Sequence, residues 1–187
     1  MKTILNFTAI GLLAIGLIAC EKDDDDNSTS PSTSNNNTNN FTAEITVSGD
    51  IEAEKSGVCD FDFLDFGNFK DWSIHANDFS PQTFSFNISD FSQDASRPDT
   101  GTYSIGQQNI ADYTAIYTHI ENQDFQNAEE YGTIFNPNNE EGTLTITVST
   151  ETRMEGHFSF MATKVDSLYN PIGEIQVDGS FVAKARE

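Results

Sequence analysis

The chain has 187 residues and a formal net charge of −21. A field of that sign repels phosphate backbones, which excludes a nucleic-acid partner. Fifteen Phe, five Tyr and one Trp supply a core for one domain, and beyond the N-terminus no apolar run is long enough for a spanning helix.

Met1-Lys2 carries one positive charge, and Ile4 to Ala19 is apolar apart from Asn6 and Thr8. This is the n-region and h-region of a signal peptide over residues 1–19, too short and interrupted for a transmembrane helix. Leu17-Ile18-Ala19-Cys20 closes it. These four residues resemble the lipobox of bacterial lipoproteins. The resemblance implies cleavage between Ala19 and Cys20, then acylation of Cys20. Each buried methylene contributes about 0.8 kcal/mol, so two or three chains would hold the protein on a membrane.

Glu21, Lys22, Asp23, Asp24, Asp25 and Asp26 follow at once. The run resembles the acidic export signal of surface lipoproteins of the Bacteroidota, which implies the outer face of the outer membrane. It also reads as a solvated linker, because like charges repel and extend. Asn27 to Asn40 is Asn, Ser and Thr with one Pro, and cannot bury surface. Residues 20–40 are therefore expected to be a lipidated, flexible tether, and residues 41–187 the folded domain.

From Phe41 the apolar period becomes two. Phe41, Ala43, Ile45 and Val47 share one face. Phe61 and Phe63 alternate with Asp60 and Asp62. Trp72, Ile74 and Ala76 form another face, as do Phe84, Phe86 and Ile88. Gly101 to Gly106 reads as a short strand and Ile110 to Ile120 as a longer, central one. Glu121 to Glu130 reads as a loop or a single helical turn. Leu144, Ile146 and Val148 form a further strand face. So do Phe158 and Phe160, and Ile175, Val177 and Phe181. About eight short strands with turns between them predict an all-β domain. A meander-like antiparallel sandwich and a partly closed barrel both fit.

Gly142-Thr-Leu-Thr-Ile-Thr-Val, Gly156-His-Phe-Ser-Phe and Asp178-Gly-Ser-Phe181 resemble the C-terminal strands of a family of Bacteroidota lipoproteins. Gly101-Thr-Tyr-Ser-Ile105 resembles that family's middle strand. The resemblance covers residues 101–183 and implies fold and location, with no chemistry attached.

Candidate chemistry is sparse. Asp60 and Asp62 lie on one strand face, where they could share a cation, in a patch with Asp65, Asp71 and Asp78. The spacing is not that of a calcium loop, because Asp65 falls where glycine is needed. His75, His119 and His157 sit on separate strands without metal-ligand spacing. Cys59 lies among apolar residues and reads as a buried small hydrophobe. Trp72, Tyr103, Tyr113, Tyr117 and Tyr131 could form a stacking platform for a glycan or fill the core. Asp166-Ser167-Leu168 resembles the short O-glycosylation motif of the Bacteroidota, with Ser167 as acceptor. Nucleophile elbows and phosphate-binding glycine loops are absent.

The sequence thus predicts a lipid-anchored, surface-displayed binding or structural module with no cofactor, no metal and no enzymatic activity. Its expected partners are the membrane, a glycan or an envelope protein. The alternatives are a calycin-like barrel carrying a small apolar ligand and, behind it, a surface hydrolase.

Overall fold

The computed structural model describes residues 41–79, 82–108, 110–137 and 142–186. The signal peptide, Cys20, the acidic run and the linker lie outside the described residues. The domain consists of ten strands: β1 (Thr42–Gly49), β2 (Ala53–Asp65), β3 (Lys70–Asn77), β4 (Phe84–Ser92), β5 (Gly101–Ile105), β6 (Thr114–His119), β7 (Glu129–Gly132), β8 (Gly142–Ser149), β9 (Arg153–Val165) and β10 (Pro171–Ala185). The Glu121–Glu130 segment contains one short 3-10 turn, Phe125–Asn127, capped by Asp124.

The sheet closes on itself. β1, β2, β3 and β4 form a meander, β4 pairs with β6, and β6 pairs with β7. β7 meets β9 at Gly132 and Thr163, and β10 links β9 back to β1. The result is a closed eight-stranded barrel with two extra strands. Closure decides against the sandwich and leaves no open edge along the main circuit. β8 and β5 extend the sheet from β9, and Ile105 bridges to Tyr113 just before β6. The gap between β6 and β9 is therefore closed twice, by β7 and by the β8–β5 pair. Buried Thr133 pins this seam: its Oγ1 donates to the Gly106 carbonyl at 2.7 Å and accepts from Ala115 N at 3.0 Å.

The period-two pattern sets what fills the barrel. Ile45, Val47, Phe61, Trp72, Ile74, Phe84, Phe86, Ile88, Phe158, Phe160, Val177 and Phe181 are all buried. Phe86 stacks on Phe158 with centroids 4.5 Å apart, and Phe160 and Phe181 pack around that pair. Gly179 makes room for it. A Cβ there would lie 2.5 Å from Phe158 Cζ and 2.6 Å from the Glu44 carbonyl. Each buried phenylalanine contributes roughly 1.5–3 kcal/mol. The middle of the barrel is thus occupied by the protein's own side chains.

One predicted strand is shorter than expected. The Ile110 to Ile120 stretch yields only Thr114–His119. The Asp112 carboxylate accepts from Ser104 N and Ser104 Oγ at 2.8 and 2.9 Å, which folds the preceding residues into a connection against β5. Ile110 is left exposed.

Candidate functional site at the hairpin end of the barrel

The β2–β3 hairpin projects its turn from one end of the barrel. Its strands pair without a register shift up to Asp65 and Lys70. The turn holds Gly67 at φ +84°, with its N–H donating to Asp65 Oδ1 at 2.7 Å. Core parity carries Phe63 to the barrel mouth, where the interior ends and 47% of its surface is exposed. Leu64, Phe66 and Phe69 follow, also exposed, and Phe91 at the end of β4 joins them. Phe69 and Phe91 stack with centroids 5.5 Å apart and planes 8° from parallel. Five large apolar side chains thus crowd one end of a strongly acidic domain. Contiguous exposed apolar surface of this kind marks interaction sites.

Beside this group lies a cavity of about 550 Å³. Phe61 and Trp72 belong to the core and to its lining, as does buried Ala95 from the β4–β5 connection. Phe63 and Ala185 add apolar wall, while Lys70, Arg97, Glu151, Asp62 and Arg186 contribute polar groups. A mostly apolar concavity with a few charged groups has the usual composition of a ligand site.

Asp60 and Asp62 lie on the outer face of β2, and the cation they share is the protein's own Arg186. The end of β10 runs past β1 and pairs in parallel with β2, Lys184 opposite Asp60 and Ala185 opposite Phe61. Arg186 N then donates to the Phe61 carbonyl at 2.9 Å. Its guanidinium reaches both carboxylates, Nη2 at 2.8 Å from Asp60 Oδ1 and Nη1 at 3.2 Å from Asp62 Oδ2. The Asp60 contact is an ion pair outside hydrogen-bond alignment. Asp62 Oδ1 also faces His75 Nε2 at 3.4 Å. Asn87 Nδ2 donates to His75 Nδ1 at 3.0 Å, which leaves Nε2 to carry the proton toward Asp62. The His75 contact and Arg186 together hold the Asp62 carboxyl below its ordinary value, against the opposing effect of burial.

The other acidic candidates serve the fold. Asp71 accepts from Ser73 Oγ at 2.6 Å. Asp78 spans the β3–β4 connection, accepting from Thr83 N at 2.8 Å and Phe84 N at 3.1 Å. Burial opposes ionisation of Asp78, but these hydrogen bonds outweigh it and lower its pKa. Among the described residues no three His, Cys, Asp or Glu side chains gather as metal ligands. The histidines do not converge: His75 is held by Asp62 and Asn87, while His119 and His157 lie on β6 and β9. Cys59 is buried, and burial with the charge of Asp60 pushes its thiol well above the ordinary range.

Of the two roles open to the five aromatic candidates, platform or core, the structure gives most of them the core. Trp72, Tyr113, Tyr117 and Tyr131 are buried and Tyr103 is half-buried. Tyr103 shares parity with Ile105, Tyr113 and Tyr117 with Ala115, and Trp72 with Ile74, so the barrel takes them inward. The exposed rings at the hairpin end are Phe63, Phe66, Phe69 and Phe91, of which the sequence pattern places only Phe63 on a strand face. Ser167 lies exposed at the opposite end, in the turn between β9 and β10. There Asp166 Oδ1 accepts from Leu168 N and Asn170 N at 2.8 and 2.9 Å.

No protein-family model matches the chain, and neither a curated protein nor a solved structure does. A closed β-barrel is compatible with a calycin-like binding module.

Proposed function

We propose that this protein is a lipid-anchored outer-membrane lipoprotein, displayed at the cell surface, whose barrel serves as a binding module through its hairpin end. The anchoring half of the reading rests on the sequence: the apolar run ending at Ala19, the cysteine after it and the acidic residues from Glu21 to Asp26. The binding half rests on one observation. Phe63, Leu64, Phe66, Phe69 and Phe91 are exposed together at one end. A monomer gains nothing in stability by presenting such a group to water, whereas a partner surface would bury it.

The calycin-like alternative is favoured by barrel closure and by the cavity at the mouth. With the Phe86–Phe158 stack occupying the barrel interior, a small ligand would sit at the mouth and not along the axis.

Two experiments separate the halves. Fractionation of cells expressing Cys20→Ala should move the protein from membranes to the soluble fraction, and continued membrane retention would refute the anchor. A photo-crosslinking side chain at Phe66 should capture an envelope component in intact cells, while the same group at Phe125, at the opposite end, should not. Equal capture from both positions would remove the hairpin end from consideration.

A further inference from the structure

The hairpin-end cavity has a charge pattern that runs against the rest of the molecule. Acidic residues outnumber basic ones by 30 to 9. Most basic side chains in the folded domain are spoken for. Arg153 pairs with Glu155, Lys164 with Glu129, and Arg186 with Asp60 and Asp62, while Lys55 donates to Thr83. Three others make no ion pair among the described residues: Lys184 is exposed on β10 away from the cavity, and Lys70 and Arg97 are different. Both line the cavity, and neither makes an ion pair or side-chain hydrogen bond among the described residues. Random placement on so acidic a surface would tend to give each a carboxylate neighbour within reach. Lys70 even lies opposite Asp65 across the hairpin without closing an ion pair.

Two of the cavity's carboxylates are accounted for or outnumbered. Asp62 is held by Arg186 and His75, so it leaves the two free cations uncompensated. Glu151, from the β8–β9 connection, is the one opposing charge in the lining without a partner of its own. The lower lining is aromatic and apolar, formed by Phe61, Phe63 and Trp72. The Trp72 indole N–H has no acceptor among the described residues.

We infer that this cavity binds a small organic anion with an apolar body, the acid group meeting Lys70 and Arg97 and the body lying against Phe63 and Ala185, over the buried Trp72. The inference rests on the binding-module reading and deepens it by naming a ligand class. Neutral apolar ligands would leave both cations unused. A highly charged polyanion such as a phosphate polymer would meet the acidic surface around the cavity. A single acid group on an apolar frame satisfies both features. Charge-assisted hydrogen bonds are the strong ones, so losing both cations should weaken binding by at least roughly tenfold.

Trp72 is the chain's one tryptophan and provides the readout. Energy transfer from it to a bound naphthalene dye reports binding to the domain, and the response to substitutions in the lining assigns that binding to this cavity. The full chain would be titrated with anilinonaphthalene sulfonate and with its uncharged counterpart N-phenylnaphthylamine. The anion should bind at least roughly tenfold tighter. Lys70→Gln combined with Arg97→Gln should abolish that preference with an unchanged unfolding midpoint, and Glu151→Gln should strengthen it. Lys55→Gln, on a different face, should leave it alone. Equal affinity for the two dyes, or a preference that survives the double substitution, overturns the inference. The surface reading is tested separately by Phe69→Ser with Phe91→Ser, the crosslinking group staying at position 66. If these abolish capture of an envelope component while the two dyes bind alike, the hairpin-end partner stands and only the ligand class falls.

Discussion

Arg186 clasps Asp62 at 3.2 Å although 124 residues separate them in the chain. The contact exists because β10 outruns β1 and reaches β2 directly, so the C-terminal end of the domain is fastened to the strand that leads into the exposed hairpin. Arg186→Ala should therefore loosen both. Its side chain is about half exposed, so solvent screening limits the loss to about 1 kcal/mol, or roughly 3 °C in unfolding midpoint. Hydrogen exchange should speed at Asp60 to Phe63 and hardly change at β8. The pH dependence follows from Asp62. Its pKa is lowered in the folded state, so the contribution is present above the ordinary carboxylate value and is lost as pH falls through the folded one. Wild type and Arg186→Ala should converge in stability in acid. Equal exchange rates at β2 in the two proteins would show that the clasp is idle.

Asp90 gives the opposite sign. It lies opposite Trp72 on β4, so its carboxylate points toward the mouth of the barrel. Burial, reinforced by Asp71, Asp112 and Asp94, raises its pKa despite a hydrogen bond from Ser92. An acid with a raised folded pKa is penalised on folding once pH exceeds that value, and the penalty disappears below the unfolded value. Asp90→Asn should thus stabilise the domain at neutral pH, within about 1 kcal/mol for a partly exposed group, and give no advantage in strong acid. Thermal melts at the two pH values check this. A lower midpoint for the variant at neutral pH would mean that the carboxylate makes a favourable contact that outweighs its repulsion.

Much of the barrel was legible because period two is rigid: Trp72, Ile74 and Ala76 share parity, and burial follows. Closure was not legible. It depends on Thr163 meeting Gly132 and on β10 meeting both β1 and β9, and registers between distant strands leave no mark in one sequence. The site failed to show for a related reason. Phe63 has core parity, so alternation assigns it inward, yet the barrel ends beside it and leaves it at the mouth. Conversely, Tyr117 and Tyr131, which suggested a platform, sit within β6 and β7 and were drawn in. Whether an aromatic ring is core or surface depended on its distance along the barrel axis, which composition and spacing do not encode.

The Phe86–Phe158 stack should be the most expensive place to remove volume. Phe158→Ala deletes a ring that touches Phe86, Phe160 and Phe181. Aromatic-to-alanine changes at buried sites cost about 3–5 kcal/mol, a large share of a domain's stability. Gly179→Val should be comparably damaging, since its side chain would enter the space of that same ring. Because both act on one packing unit, Gly179→Val with Phe158→Ala should cost less than the sum of the two. Urea titration of the three variants reads this directly, and strict additivity would mean that glycine and ring are not coupled.

Cys59 tests whether the barrel is as closed as its pairing implies. The thiol is buried on β2, and its pKa is raised by burial first and by Asp60 second. Thiolate is the reactive form, so a group both covered and held protonated should be inert to an aromatic disulfide reagent at neutral pH. In the Cys20→Ala background, where Cys59 is the remaining cysteine, the native protein should show essentially no release of the coloured thiol. Addition of denaturant through the unfolding transition should release one equivalent. Below the transition the labelling rate should track the population of opened molecules, and it should rise in Phe158→Ala in proportion to the stability lost. Rapid labelling of the untouched native protein would show that β2 separates from its neighbours, and the exposed hairpin would then belong to a mobile flap instead of a rigid barrel end.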